Sequence, residues 1–169
     1  DYNEADRKKI LDLLDQIQDV NVRDTEGTPL ISIIIRNCKD GDFMEELIAK
    51  GVNVNITTPE LKIPLFDAID QYKVKYIEML INNGADINYK DNYNFTPLHK
   101  AIYKIVNTSG EASSYFYDNE PENSLKIFNI ILEKNPDLTI KLDRKTAIDL
   151  AKQFNLNKEI IKRMEEMQK

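Results

Sequence analysis

Laid over itself with an offset of about thirty residues, the chain repeats, and a period of that length constrains the fold more than any other property of the sequence. The pattern Gly51 Val52 Asn53 Val54 Asn55 returns 33 positions later as Gly84 Ala85 Asp86 Ile87 Asn88. A degenerate copy, Asp19 Val20 Asn21, precedes both, and Asn135 Pro136 Asp137 Leu138 Thr139 follows after a longer gap. A second marker stands ahead of each unit: Gly27 Thr28 Pro29 Leu30, then Ile63 Pro64 Leu65, then Phe95 Thr96 Pro97 Leu98 His99, then Lys145 Thr146 Ala147 Ile148.

Helix-start chemistry accounts for the second marker. A threonine hydroxyl accepts from unpaired N–H groups of the first turn, and proline at the first helical position forfeits no hydrogen bond. Thr28 and Thr96 are the expected caps, whereas Ile63 has no hydroxyl and predicts a weaker cap in the second unit. Between markers, Leu65, Ala68 and Ile69 make one apolar face at helical spacing, and Ile77, Leu80 and Ile81 make another. The second-helix pattern recurs as Ile10, Leu13 and Leu14, as Met44, Leu47 and Ile48, and as Phe128, Ile131 and Leu132. Helices this short are marginal alone and must stack on neighbours to hide those faces.

In Thr96 Pro97 Leu98 His99 Lys100 Ala101 and Gly84 Ala85 Asp86 Ile87 Asn88 the chain resembles the ankyrin repeat, and the resemblance extends from about Asp6 to Met164. It implies an all-α solenoid of stacked helix-turn-helix units with projecting β-hairpin loops, binding proteins through hairpin tips and a concave first-helix surface. It also implies a local role for His99, whose imidazole would tie the loop to the helix start. The expected units are a half-repeat cap at residues 1–22, repeats at 23–55 and 56–88, a repeat at 89–139, and a capping repeat at 140–169. Departures from the family pattern are Ile31 and Phe66 at the histidine place, no hairpin glycine in the second unit, and Ala147 for proline. Asp1 rather than Met stands first, which reads as a fragment or a processed form.

From Ile77 to Phe128 the second-helix register jumps by 51 rather than 33, so roughly 18 extra residues split the third unit near 105–122. Asn107 to Ser114 has loop composition, and the aromatic triplet Tyr115, Phe116 and Tyr117 follows it. A long insertion with adjacent aromatics serves either partner binding or the covering of apolar surface.

Composition narrows the chemistry. A net charge of −6 and a pI near 4.9, with no compact basic block, disfavour nucleic acid and anionic membranes. Apolar runs are only a few residues long, as in Ile33 Ile34 Ile35, so no membrane insertion is expected. One cysteine, Cys38, and one histidine, His99, can build neither a disulfide nor a zinc site, and the glycines stand singly rather than in a phosphate loop. Asp67, Asp70, Glu45, Glu46, Glu78 and Glu133 are expected on exposed helix faces. No enzymatic activity, cofactor or metal is expected.

The expected function is a non-catalytic interaction module, a scaffold for a protein partner, acting as a monomer in the cytoplasm, or in the host cytosol or nucleus if secreted as an effector. The Ile-, Asn- and Lys-rich, Arg-poor composition fits a host-directed effector of an intracellular bacterium or virus. Two other readings are an inhibitor or immunity protein masking a basic enzyme or toxin, and the targeting domain of a larger enzyme. The candidate contact residues are Arg23, Glu26, Arg36, Glu60, Lys62, Asp70, Gln71, Lys90, Asn92, Tyr93, Phe95, Tyr103 and Lys104, with Tyr115, Phe116 and Tyr117 of the insertion. Unit three is the expected centre, because aromatic anchors dominate binding energy.

Overall fold

The structure, a computed structural model, describes residues 4–109 and 120–169, and groups the chain as two compact units: Asp1–Pro59 with Ile63–Ala85, and Glu60–Lys62 with Asp86–Lys169. The first unit contains helices α1 (Glu4–Gln16), α2 (Leu30–Asn37), α3 (Met44–Ala49), α4 (Pro64–Asp70) and α5 (Val74–Asn82). After α1 these helices are only 6 to 9 residues long, too short to persist alone, and packing supplies what propensity cannot. First helix α2 lies on first helix α4, and α4 on its own second helix α5. Ile35, Leu65, Ile69, Ile77 and Leu80 of these helices and Leu47 of α3 are wholly buried. Each such side chain contributes roughly 1.5–3 kcal/mol.

Polar groups fix the register of one repeat on the next. The Asp40 carboxylate, in the loop after α2, accepts the N–H groups of Lys75 (2.9 Å) and Tyr76 (3.0 Å) and so caps the start of α5 from the preceding repeat. The buried Tyr76 hydroxyl donates to the Asp42 carbonyl at 2.6 Å, and Lys73 Nζ donates to the Cys38 carbonyl at 2.6 Å. Burial pushes the Tyr76 hydroxyl far above its ordinary range, with the carboxylates of Asp42 and Asp40 among the charges adding to it, so it stays a donor.

The repeated Asn/Asp loops share one bond. The side chains of Asp19, Asn53, Asp86 and Asp137 accept from the N–H two residues on, at 2.8 to 2.9 Å. Their second residue links neighbouring loops: Asn21 Oδ1 accepts from Asn53 N–H in the first unit, and Asn88 Oδ1 from Asp137 N–H in the second. Asn and Asp recur here because a short polar side chain can close its own turn.

The second unit holds α6 (Pro97–Ser109), α7 (Glu120–Glu133), the hairpin β1 (Lys141–Leu142) and β2 (Lys145–Thr146), α8 (Ala147–Gln153) and α9 (Lys158–Met167). Helix α6 packs on α7 and on α8, and α8 on α9. Phe128, Ile131 and Leu132 are wholly buried. Met164 is the buried residue of α9, whose outer face carries ion pairs from Lys152 to Glu165 and from Arg163 to Glu133.

Five sequence expectations are corrected. Thr28 does not cap α2: the Asp24 carboxylate holds the N–H groups of Glu26 and Thr28 in the hairpin, as Asp91 holds those of Tyr93 and Phe95. Pro29 therefore takes the cap position without a side-chain bond, α2 starts at Leu30, and Ser32 rather than Ile31 stands where the third repeat has His99. Asp67 is buried, not on an exposed face. Asn107 to Ser109, expected in a loop, continue α6, which runs 13 residues against 8 in α2 and 7 in α4; no proline or glycine interrupts it after Pro97. Leu13, assigned to the packed face of α1, is 60% exposed and lines an apolar groove of about 350 Å³ with Ile10, Ile17, Leu30 and Ile33. The α4 cap, Ile63, makes no side-chain bond.

Candidate protein-binding surface

The hairpin ends and the C-terminal halves of the first helices carry the candidate residues, and the structure divides them by what already holds them. In the first unit Arg23 serves the fold: its Nη1 donates to the Gly27 carbonyl (2.8 Å) and to the Thr57 carbonyl (2.6 Å), bracing one hairpin on the next. Arg36 is likewise engaged. Its Nε and Nη2 reach Asp67 Oδ1 at 3.0 and 2.8 Å, joining α2 to α4. Burial pushes the Asp67 carboxyl up, and the nearby Ser32 hydroxyl and the Arg36 guanidinium pull it back down. Asp67 Oδ2 and Ser32 Oγ complete no hydrogen bond of good geometry. Glu26 and Gln71 are exposed and Asp70 half-buried.

The second unit gathers the aromatics. Phe95 meets Tyr103 edge-on, with ring centroids 5.4 Å apart, and Tyr103 meets Phe154 edge-on at 5.2 Å. All three are half-buried, so each packs on a neighbour while keeping a face in water. Tyr93 is 67% exposed beside them in sequence. Lys90, Asn92 and Glu60 are exposed, and Lys62 and Lys104 half-buried. Phe154 was missed from sequence because it ends α8, whose sequence shows no aromatic pattern; its place follows from the stacking of α8 on α6. Tyr115, Phe116 and Tyr117 lie outside the described residues.

His99 is buried and belongs to the fold. The Thr96 N–H donates to its Nδ1 (3.3 Å), Thr96 Oγ1 lies 3.0 Å from the same nitrogen, and the His99 N–H donates to Thr96 Oγ1 at 3.3 Å. An accepting Nδ1 places the ring proton on Nε2, which is buried without a partner. Burial, helped by the charge of Lys90, lowers the imidazole to about 4, so the ring is neutral near pH 7. Burial raises the Cys38 thiol against the charge of Lys73, the opposite of what a reactive cysteine needs. Among the described residues no group of three or more His, Cys, Asp or Glu side chains could hold a metal ion, and no helix is long and apolar enough to cross a membrane.

Comparison with known proteins agrees with this geometry. A family model described as ankyrin repeats matches in three copies, over residues 3–91 and 31–121. A putative ankyrin repeat protein of fowlpox virus is 32% identical over 126 residues, covering 70% of this chain and 21% of the viral protein. A putative ankyrin repeat protein of Borreliella burgdorferi is 32% identical over 107 residues, covering 60% and 26%. A probable serine/threonine-protein kinase of Dictyostelium discoideum is 29% identical over 103 residues, covering 59% and 12%. The chain thus spans about a quarter or less of the length of these relatives. Ankyrin-repeat domains are generally non-catalytic and mediate protein–protein interaction, and this chain, an all-α array of such repeats, belongs to the ankyrin-repeat family.

Proposed function

We propose that the chain is a non-catalytic, monomeric binding module that holds a protein partner on its second unit, with Phe95, Tyr103 and Phe154 as a platform and Tyr93 as an exposed anchor. The observation that carries this reading is the run of edge-to-face rings left half in water, since aromatics with one open face are typical of interface centres. Arg23 and Arg36 contribute less than their charge suggests, because intramolecular bonds already use them. The Ile-, Asn- and Lys-rich, Arg-poor composition favours a host-directed effector in a cytoplasmic setting. The kinase relative supports a second reading, a targeting module within a larger enzyme.

Affinity capture from host-cell extract with the chain and with Tyr93→Ala and Tyr103→Ala tests the site. A partner retained by the parent and lost by at least tenfold from each variant supports it. A partner retained equally by all three moves the interface elsewhere.

A further inference from the structure

At corresponding points of the four hairpins the backbone turns left-handed: Gly27 (φ 82°), Leu61 (φ 58°), Asn94 (φ 63°) and Arg144 (φ 69°). Glycine meets no steric cost there and asparagine little, whereas any branched or long side chain crowds its Cβ against the next carbonyl oxygen. Phe43 and Tyr72 share this conformation, but Phe43 is wholly in the core and Tyr72 half-buried, so packing offsets their strain. Leu61 and Arg144 gain nothing comparable. Leu61 is 51% exposed, and the exposed Arg144 guanidinium makes no hydrogen bond or ion pair among the described residues. Strain carried by side chains that bury little and, for Arg144, bond to nothing among the described residues marks residues retained for another task.

Both belong to the second unit, as does Tyr93 next to left-handed Asn94. Its three hairpins carry Lys62, Lys90, Lys141, Arg144 and Lys145 against Glu60, Asp91 and Asp143. Asp91 is buried with its carboxylate turned to backbone N–H groups, which leaves the tips locally basic in a chain of net charge −6.

We propose that Leu61, Tyr93 and Arg144 are the partner-reading tips of the second unit, and that the partner presents an acidic segment carrying an apolar side chain. The inference rests on the protein-binding reading above and adds the chemistry of the partner. It opposes a basic partner, which the net charge alone would suggest.

The test is selection of random 16-residue peptides displayed on phage against the full chain, followed by fluorescence-anisotropy titration of the enriched peptides. Enriched sequences should be rich in Asp and Glu around a Leu, Phe or Trp, and should bind more weakly as salt rises. Leu61→Gly and Arg144→Gly should each lose at least tenfold in affinity while Tm is unchanged or rises by a few degrees. Four results overturn the inference: basic or wholly polar selected peptides, unchanged affinity in both variants, a lower Tm in both, or self-association of the chain through these residues. In those cases protein binding itself stands, whereas a chain that enriches no peptide loses that reading as well.

Discussion

At the start of α6, Thr96 and His99 close a hydrogen-bonded clasp; at the start of α4 the same two positions are Ile63 and Phe66, both wholly buried and with no side-chain bond to the helix start. The two helices nevertheless begin alike, each with proline at its first position and a left-handed hairpin residue three positions earlier. The geometry is therefore set by the hairpin and by stacking, and the clasp is one of two ways to fill the space beneath it. The apolar way gains roughly 1.5–3 kcal/mol per buried side chain and is indifferent to pH. The polar way depends on an imidazole staying neutral. A third element belongs to the apolar version alone: Asp67, one residue beyond Phe66, is buried and tied to Arg36.

The largest expected effect separates the two clasps by pH. His99 titrates at about 4 in the folded chain against its ordinary 6.5, so the native state binds fewer protons than the unfolded state between those values. Its contribution is complete above about pH 6.5 and falls as pH drops toward 4, by about 3 kcal/mol in total. His99→Phe copies the second repeat. Urea unfolding of parent and variant across pH 4 to 7 should show the difference in stability between them shrinking or reversing as the medium is acidified. A constant difference would mean that the ring is not held neutral.

Next in size is the ion pair of the apolar version. Arg36→Met leaves the Asp67 carboxylate buried without its partner and should cost about 2 kcal/mol, less than for a fully enclosed pair because the Arg36 side chain is 39% exposed. Arg36→Met with Asp67→Leu should recover most of that loss, since two apolar side chains remove the stranded charge. Chemical denaturation decides it: a double variant no more stable than Arg36→Met would show that the pair orders α2 against α4 by more than charge.

These two regions also show what could be read from sequence. Thr96 to His99 carried its role openly, because cap, proline and histidine are all local. The first repeat looked as complete with Gly27 Thr28 Pro29 Leu30, yet Asp24 takes the Thr28 N–H into the hairpin and moves the helix start by one residue. Residue spacing does not show which polar side chain wins a given N–H. Asp67 was misplaced for a related reason. Periodicity around Leu65, Ala68 and Ile69 describes one helix against its own partner, whereas Asp67 is covered by α2 of the preceding repeat. Leu61 and Arg144 had a legible signal, the absence of glycine in their hairpins, whose meaning needed the backbone angles.

The smallest expected effect concerns the fourth repeat, which has a polar clasp of an exposed kind. Thr146 Oγ1 accepts the Asp149 N–H at 3.2 Å, and Asp149 Oδ2 accepts the Thr146 N–H at 2.9 Å, a reciprocal box at the start of α8. These bonds to Thr146 hold the Asp149 carboxyl below its usual range. Thr146→Ala removes the hydroxyl without adding the apolar burial that Ile63 gives the second repeat, so nothing replaces the clasp. The expected cost is about 1 kcal/mol, with the Asp149 carboxyl titrating higher in a carbon-detected NMR series. A loss of stability with an unmoved carboxyl would assign the effect to packing of the threonine methyl instead. An unchanged stability would mean that, at this exposed end, hairpin geometry alone starts the helix, as it does where Pro29 stands in for a cap.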